Sequence, residues 1–596
     1  MGIHRLKHTF TAGELSPLMA GRVDFERYND GCIDLVNSMV LVQGPATRRT
    51  GFKFIMDLAE IGAIPTSIRL IEFIFNIYQA YVLIFCKTST GHVMAVATGE
   101  GLDTNTAGNP IVLDVNGIWT DDTFPVFDYA QAGDDLYLAQ SSCPLRIIRR
   151  YAHNDWRLIE PTIASAPTIW SSANGYPERI TFHQQRLAVA ANTVRRQTIW
   201  LSRAGNFLDF GTSSPILASD AITFTLDSGT QNRIQWIASG KSLNIGTLDN
   251  EWTVTGGNQT ALTPTSILAQ RQSSRGSESI KPLLIGQTTM IIEREGRTIN
   301  EFVYDYTTDG YKASDVSILA PHLTEHYSVV DWAYQQVPNS YIWCVREDGQ
   351  LLGFTYQRDH KVVGWHRHIT QGSFTAVASI PNRTQREDEV WVVVSRTVDG
   401  EDRSYLEKMY PSFHGLQASD GYFLDSAVEG YSVAGASVFS GLLHLRGREV
   451  DVLADGTVHP PVVISNTGTL TLNKAYNKVL DGFGYTTMIT PTVADMTLKD
   501  GSTLGRSQRI TYLDLNLYQT LGFHVYRKSQ EGEEVSEEKP FRMPKHSTGE
   551  EIPLFTGWYR VDFMEGFLQE SYYSILQKQP LPLTIRAIVD TVEVFD

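Results

Sequence analysis

The chain has 596 residues, of which 42% are hydrophobic and 19% are charged, and its formal net charge is −16. This length exceeds a single hydrophobic core, so about two to four domains are expected, and the composition excludes a chain that is disordered throughout. The negative charge argues against a protein that wraps nucleic acid, because that affinity comes from Lys and Arg side chains that neutralise phosphates.

Cysteine usage and the N-terminus exclude further classes. The cysteines, Cys32, Cys86, Cys143 and Cys344, lie far apart, so the sequence predicts reduced thiols and neither a zinc site nor a disulfide framework. The first residues lack the apolar core of a secretion signal, and no uninterrupted apolar run reaches membrane-spanning length. The sequence therefore predicts no membrane anchor.

Residues 1–60 form the first predicted region. They begin with a turn-rich stretch, and a short helix is predicted within residues 23–37. A segment of this length is too short to bury a core of its own. We therefore expect it to act as a docking region.

Between residues 61 and 410 the sequence repeats one pattern, at intervals of about 45–55 residues. Each repeat has a first strand, a tight polar turn, a second strand rich in apolar residues and a third strand. In the third repeat, apolar residues 187–190 and 198–201 flank a polar break at residues 192–197. The repeats cover residues 71–96, 127–148, 182–202, 234–254, 282–303, 330–355 and 374–409.

This repetition predicts a β-propeller, in which each blade is a small antiparallel sheet. One blade cannot bury both of its faces, so the unit has to repeat and pack on its neighbours. About seven blades are expected, and six to eight fit the pattern. A set of unrelated β-sandwich hairpins is the alternative, because the repeats match in pattern and hardly in residue identity.

The blade pattern ends near residue 410, but strand-like sequence continues. Residues 510–517 alternate, with Leu513, Leu515 and Leu517 on one face and Asp514 and Asn516 on the other. The predicted all-β protein therefore has an N-terminal docking region (1–60), a β-propeller (61–410) and a C-terminal β-rich platform domain (411–596). Further strands are predicted at residues 450–453, 462–464, 469–472 and 583–589.

Motifs for catalysis, cofactors or metals are weak, and no residue is assigned to any of these roles. The sequence Gly240-Lys241-Ser242 lacks the glycine that a phosphate-binding loop needs five residues before Gly240, so a blade turn is predicted. His366 and His368 would share one face of a strand and could ligate a metal, but without a third ligand we predict exposed strand histidines. The acidic run at residues 531–538 is interpreted as a solvated loop, with the lining of a passage as the alternative.

Several stretches together resemble one family, the tail nozzle (tail tubular protein B) group of short-tailed bacteriophages. The similarity is spread from residue 10 to about residue 589. It is carried by residues 10–18 (FTAGELSPL), 21–28 (GRVDFERY), 43–51 (QGPATRRTG), 177–187 (PERITFHQQRL), 200–210 (WLSRAGNFLDF) and 441–456 (GLLHLRGREVDVLADG).

The resemblance implies a non-enzymatic structural protein of the virion tail, assembled in the host cytoplasm. Proteins of this group form a homohexameric tube at the distal end of the tail, below an adaptor (head-to-tail connector) ring, and the genome passes through the tube at ejection. Genomic DNA would occupy the lumen transiently without tight binding, which the acidity of the chain favours because carboxylates keep phosphates off the wall. Attachment of tail fibres is left open.

The resemblance also implies that the N-terminal motif takes part in docking on the adaptor ring. The residues assigned to this role are Phe10, Glu14, Leu15, Arg22, Asp24 and Tyr28. Two rival functions stay open. One is a phage adhesin whose propeller loops bind host glycan, and the other is a propeller hydrolase with two facing carboxylates.

Overall fold

A computed structural model describes residues 3–99, 101–116, 118, 126–227, 229–257, 261–493, 495, 497–498, 501–528, 539–540, 553–562, 566–567 and 572–595. Within these ranges the chain forms 47 strands and no α-helix, which confirms the all-β prediction. Its short 3₁₀ turns lie at Pro17–Met19, Tyr28–Asp30, Leu58–Ile61, Pro321–Leu323, Arg358–His360, Ala418–Asp420 and Leu443–Leu445. The chain divides into two compact units, a five-blade unit (Ala59–Asp331) and a terminal unit (Met1–Leu58 with Trp332–Asp596).

The first strands lie in the N-terminal segment of the terminal unit. They are β1 (Ile3–Lys7), β2 (Gly13–Glu14), β3 (Gly31–Val36), β4 (Ser38–Val40), β5 (Ala46–Arg48) and β6 (Phe52–Asp57).

The five-blade unit consists of consecutive antiparallel sheets, numbered here as blades 1 to 5. Blade 1 contains β7 (Ala63–Asn76), β8 (Gln79–Thr88), β9 (Gly91–Thr98), β10 (Gly101–Leu102) and β11 (Val112–Asp114). Blade 2 contains β12 (Asp128–Ala132), β13 (Asp135–Gln140), β14 (Cys143–Ala152) and β15 (Asp155–Ile159). Blade 3 contains β16 (Arg179–His183), β17 (Arg186–Ala190), β18 (Thr198–Leu201) and β19 (Ile222–Thr225). Blade 4 contains β20 (Ile234–Ser239), β21 (Leu243–Thr247), β22 (Glu251–Thr255) and β23 (Leu268–Ser273), and blade 5 contains β24 (Leu283–Ile285), β25 (Thr288–Ile292), β26 (Ile299–Asp305) and β27 (Gly310–Asp315).

Two further blades follow, and both are extended into larger sheets. Blade 6 contains β28 (Val329–Gln335), β29 (Tyr341–Arg346), β30 (Leu351–Gln357) and β31 (Val362–His368). Blade 7 contains β32 (Ser373–Asn382), β33 (Glu387–Val398) and β34 (Glu401–Met409), and its fourth strand is β6 from the N-terminal segment, which pairs antiparallel with β34. The chain therefore has the predicted β-propeller fold class, with additional β-rich sheets.

The remaining strands complete the terminal unit. Most of them join blade 7 in an eight-stranded sheet, blade 6 with β2 and β3 in a ten-stranded sheet, or β1, β4 and β5 in a six-stranded sheet, whereas β40 and β41 pair only with each other. They are β35 (Asp425–Ser440), β36 (Glu449–Ala454), β37 (Thr457–Val463), β38 (Thr469–Phe483), β39 (Thr487–Pro491), β40 (Thr497–Leu498), β41 (Gly501–Ser502), β42 (Ser507–Thr520), β43 (His524–Lys528), β44 (Lys539–Pro540), β45 (Phe555–Asp562), β46 (Tyr572–Gln577) and β47 (Thr584–Phe595).

Consecutive blades of the five-blade unit share apolar clusters, which explains the apolar second strands of the repeats. In β13, Leu136 and Leu138 pack with blade 1, whereas Tyr137 and Ala139 pack with blade 3. Adjacent residues of a strand point to opposite faces, so both faces of this blade are buried. The same alternation in β42 places Leu513, Leu515 and Leu517 in the core of the terminal unit, as predicted.

Two sequence predictions need correction. The three-strand repeats are present, but blades 2 to 5 each have a fourth strand that the sequence did not indicate. In β23, for example, Leu268, Gln270 and Arg271 are exposed, so this outer strand lacks the apolar pattern of a buried strand. The helix predicted within residues 23–37 is wrong, because this stretch forms a 3₁₀ turn and then β3, whose backbone pairs with β2, β31 and β39.

The division into regions 1–60, 61–410 and 411–596 stays a prediction. The close contacts of the chain group its two ends, with blades 6 and 7, into the terminal unit.

Candidate functional site

The residues predicted to dock on an adaptor differ in their exposure. Phe10, Glu14, Leu15 and Tyr28 are buried within the terminal unit. The other two, Arg22 and Asp24, are exposed and form an ion pair in which Arg22 Nε donates to Asp24 Oδ1 at 2.9 Å and Nη2 donates to Oδ2 at 3.1 Å. The docking role itself stays a prediction. Of the six residues assigned to it, Arg22 and Asp24 are the two whose side chains are exposed to a partner in this conformation.

The surface next to this ion pair is apolar. Leu18 is 87% exposed at the preceding 3₁₀ turn. Below it lies a cavity of about 170 Å³, lined by Leu15, Met19, Tyr28 and Val493 among others. Two of the predicted docking residues therefore line a cavity although neither is exposed.

Glu14 is a buried residue of the N-terminal motif whose carboxylate connects β2 to β3 and β31. Its carboxylate accepts hydrogen bonds from the backbone N–H of Leu35 at 2.8 Å and from Arg367 Nε at 3.1 Å. Gly13, beside it, has φ +66° and lies so close to Trp365 that an added Cβ would be 2.2 Å from the Trp365 backbone nitrogen. The sequence motif at residues 13–14 is therefore explained by the packing of β2 between β3 and β31.

A second buried joint lies at the end of β5. The Arg49 guanidinium donates two hydrogen bonds of 2.7 Å to the Asp425 carboxylate, and the side chains are 0% and 1% exposed. Arg49 Nε donates to Asn37 Oδ1 at 3.1 Å, and the guanidinium lies 3.8 Å from the centre of the Tyr485 ring. Arg49 belongs to the motif at residues 43–51, but its partners Asp425 and Tyr485 were not predicted. Residues that lie about 400 positions apart in the chain leave no local sequence pattern.

In the five-blade unit, polar side chains join the beginnings of four blades in what we call the axial cluster. Its members are Arg69, Glu72, Tyr129, Arg179, Ser279 and Lys281. Lys281 Nζ, which precedes blade 5, donates to the backbone carbonyl of Tyr129 in blade 2 at 2.9 Å and lies 3.6 Å from its ring centre. The Tyr129 hydroxyl is 3.1 and 3.2 Å from the carboxylate oxygens of Glu72 in blade 1, to which it donates. Arg179 Nη2 in blade 3 donates to Ser279 Oγ at 2.7 Å.

Burial controls the protonation of the axial cluster. It raises the pKa of Tyr129 well above its ordinary value, and the neighbouring Glu72 carboxylate raises it further. Burial lowers the pKa of Lys281, an effect that Asp128 and Glu72 oppose. Each direction follows from the cost of burying a charged group. The cluster therefore joins the first strands of blades 1, 2 and 3 to the start of blade 5 with polar contacts. Those of Tyr129 are partly buried, and the contact of Arg179 with Ser279 is exposed.

The predicted blade turn at residues 239–242 is confirmed, because it connects β20 to β21 and the Gly240 N–H donates to the Ser242 carbonyl at 3.0 Å. The predicted exposure of His366 and His368 is wrong, because both are buried and His366 Nδ1 lies 2.7 Å from His368 Nε2. The rings of both histidines pack near Trp343, with ring centroids 6.1 and 5.2 Å apart. Burial lowers the pKa of His366 to about 3.

Among the described residues, no group of three or more His, Cys, Asp or Glu side chains could hold a metal ion. In the same part of the chain, the structure contains no helix with the length and apolar character needed to cross a membrane. The acidic run at residues 531–538 lies outside the described residues.

A cleft of about 570 Å³ opens beside blade 4, and we call it the polar cleft. It is lined by Asp227, Gly229, Thr230, Asp249, Asn250, Trp252, Arg271, Ser274 and Arg294. These residues come from the segment after blade 3, the β21–β22 turn, β22, β23 and the residue after it in blade 4, and the β25–β26 turn of blade 5. Sequence analysis did not single out any of them, because they are scattered over separate turns and strands.

No protein-family model matches the chain, and no curated protein matches it. Solved structures that resemble it include the β-propeller domain of Cps50 (Swd1) from Myceliophteria thermophila, with 9% identity over 60% of this chain and 100% of that chain and a TM-score of 0.36. U3-55K matches with 8% identity over 60% and 98% and a TM-score of 0.37. The C-terminal WD40 domain of Sif2 matches with 8% identity over 61% and 99% and a TM-score of 0.34. Nothing about function is transferred from these proteins.

Proposed function

We propose that the chain is a structural subunit of the tail nozzle of a short-tailed bacteriophage. In this proposal it forms a homohexameric tube at the distal end of the virion tail, is assembled in the host cytoplasm and is attached to the adaptor ring. It has no catalytic activity and needs no cofactor for this role. Tail fibres are a further partner that the proposal leaves open.

The observation that carries the proposal is the position of four of the six nozzle-like motifs in the terminal unit. Glu14 and Arg49, which belong to two of these motifs, are buried and bind Arg367 and Asp425, which lie far along the chain. β1 pairs with β47 and β6 pairs with β34, so the N-terminal segment is fastened to late parts of the chain. A subunit held by such long-range pairs suits the wall of a conduit, which has to keep its shape during ejection.

The axial cluster supports one feature of this arrangement. It joins the starts of blades 1, 2, 3 and 5 through side-chain hydrogen bonds. We therefore propose that the genome passes between subunits of the ring and not along the line where these first strands meet.

Electron microscopy tests the assembly directly. Purified protein should form rings with sixfold symmetry, and labelled protein should lie at the distal end of the tail in virions. A protein that is absent from virions, or that stays monomeric at micromolar concentration and binds host cells by itself, would favour the adhesin instead. A propeller hydrolase would release sugar from host polysaccharide, which the nozzle should not do.

The docking region gives the first variant test. Changing Leu18 to Asp together with Arg22 to Glu should reduce incorporation into virions at least tenfold, because both side chains are exposed and the adaptor would meet altered charge. Incorporation is measured by complementing a phage that lacks the gene and quantifying the protein in purified particles.

The matched control for this test changes an exposed pair elsewhere, Arg157 to Glu with Leu217 to Asp in the five-blade unit. Both doubly substituted proteins should keep the wild-type melting temperature. Wild-type incorporation of the docking variant would contradict the assigned docking surface. Deleting residues 1–28 is a poor test, because the deletion would also remove the buried side chains of Lys7, Phe10 and Glu14.

A second test concerns DNA. In a ring, every carboxylate that faces the lumen is repeated around the axis, so the wall repels phosphates. With a net charge of −16, the purified protein should leave duplex DNA unretarded in a gel shift even at low salt, where a basic surface binds most tightly. A clear mobility shift at low salt that disappears at high salt would contradict a weakly interacting lumen.

A further inference from the structure

We propose that the polar cleft of the five-blade unit binds a neutral saccharide. This proposal goes beyond the nozzle role and does not depend on it, because the cleft is formed by one chain. Its volume of about 570 Å³ lies within the range of roughly 300–1,000 Å³ that is typical of small-molecule sites.

The cleft presents charged groups that nothing in the described chain neutralises. Arg271 and Asp227 are both exposed, and neither has a hydrogen-bond or ion-pair partner among the described residues. They do not pair with each other although they line one cleft. A guanidinium offers several fixed donors and a carboxylate offers only acceptors, so the two together supply both kinds of hydrogen-bonding group.

A buried donor lies in the wall of the same cleft. Trp252 is only 8% exposed, and its indole N–H has no hydrogen-bond partner among the described residues. Trp252 stands directly opposite Arg271 in the pairing of β22 with β23, so the two side chains share one face of blade 4. An unpaired buried N–H is unfavourable, and a hydroxyl oxygen that reached it would remove this penalty.

The lining also contains a fixed acceptor. The Asp249 carboxylate accepts hydrogen bonds from Asn232 Nδ2 and from Thr230 Oγ1, the latter at 3.4 Å, and lies 3.7 Å from Arg294 Nη1. These contacts hold the carboxylate in one orientation before any ligand binds. A preorganised group loses little conformational entropy on binding, which favours affinity.

The balance of charge selects the ligand class. Two arginines, Arg271 and Arg294, face two carboxylates, Asp227 and Asp249, so the formal charge of the lining is zero. A phosphate or sulfate would meet two carboxylates, and an apolar ligand would leave the charged groups desolvated and unpaired. A sugar carries several hydroxyl groups, each of which can both donate and accept a hydrogen bond, and a neutral sugar adds no charge. It can therefore bind the guanidinium donors and the carboxylate acceptors of the cleft together.

The experiment applies the full chain to an array of neutral and acidic oligosaccharides and then measures the affinity of the best ligand by titration calorimetry. We expect binding to at least one neutral oligosaccharide. Changing Arg271 to Ala should weaken this binding at least tenfold and leave the melting temperature unchanged, because Arg271 has no partner to lose. The matched control is Arg275 to Ala, an exposed arginine in the connection after β23 that lies 3.9 Å from Glu293 and is absent from the cleft lining; this variant should bind as wild type does.

The proposal is overturned if no neutral oligosaccharide binds at millimolar concentration, or if R271A binds as well as wild type. It is also overturned if only sulfated or phosphorylated sugars bind and inorganic sulfate displaces them, because the cleft would then be an anion site. None of these outcomes affects the nozzle proposal, which is tested by ring formation and by position in the virion.

Discussion

Changing Arg49 to Ala should lower the free energy of unfolding of the terminal unit by about 3–5 kcal/mol, the usual effect of removing one partner of a buried ion pair. The reason is that Asp425 would remain buried with its charge no longer neutralised, since Arg49 supplies both of its 2.7 Å hydrogen bonds. The substitution would also remove the guanidinium that packs 3.8 Å from the Tyr485 ring. Urea denaturation followed by circular dichroism measures the change.

The control is Arg22 to Ala, because Arg22 also forms a bidentate pair with an aspartate but is exposed, with 59% of its side chain accessible. Water already solvates both groups of this pair, so its loss should leave the denaturation midpoint unchanged. A double variant in which Arg49 becomes Leu and Asp425 becomes Leu should recover part of the lost stability, since no charge stays buried. Equal changes in the free energy of unfolding for R49A and R22A would show that the buried Arg49–Asp425 ion pair is unimportant for stability.

Changing Asp481 to Asn should stabilise the terminal unit at pH 8 by an amount on the order of 4 kcal/mol and have little effect near pH 4. Asp481 lies in β38 opposite Val452, on the face that also carries Val479 and Phe483, and its Oδ2 has no hydrogen-bond partner within the described part of the chain. Burial raises the pKa of this carboxyl from 3.8 to about 7. The native state therefore keeps the carboxyl protonated over a pH range in which the unfolded chain has already ionised it.

The sign of the effect follows from this difference. Because the folded pKa is the higher one, wild-type stability falls as pH rises from about 4 to about 7 and then levels off. Asparagine does not ionise, so the difference between variant and wild type should grow over the same pH range. Thermal melts at several pH values measure this stability difference. The control is Asp227 to Asn, because this carboxyl is exposed and has no side-chain partner among the described residues. A stability difference that is constant with pH would refute the assignment.

The sequence predicted those parts of the fold that follow from local alternation. The strands of the repeats and the alternating Leu513, Leu515 and Leu517 were identified because a buried face imposes a period of two on the sequence. The outer strands of the blades were missed because solvent on their outer side removes that pattern, as for Arg271 in β23. The exposure of His366 was wrong because no local signal shows that Tyr341 and Trp343 pack near its ring.

The candidate sites were less predictable than the fold. The polar cleft is assembled from turns and strands of three blades, so no stretch of sequence contains it. Asp425 was not identified as the partner of Arg49, and Tyr129 was not linked to Lys281, because long-range pairing depends on topology that composition and periodicity do not encode. The N-terminal motifs resemble those of a known family, but several of their side chains, such as Phe10, Glu14 and Arg49, are buried within the terminal unit.

The pairing of β6 with β34 has a consequence for how the protein is made. Asp57 pairs with Tyr405, so β6 leaves the ribosome long before its partner exists. At a synthesis rate of about 5–20 residues per second, the interval is roughly 20–70 s. During that time β6 is an unpaired strand with an exposed edge, which is open to pairing with other nascent chains. Expression at a slower translation rate, or without chaperones that cover such strands, should therefore increase the aggregated fraction of newly made chains. The stability of chains that have already folded should not change.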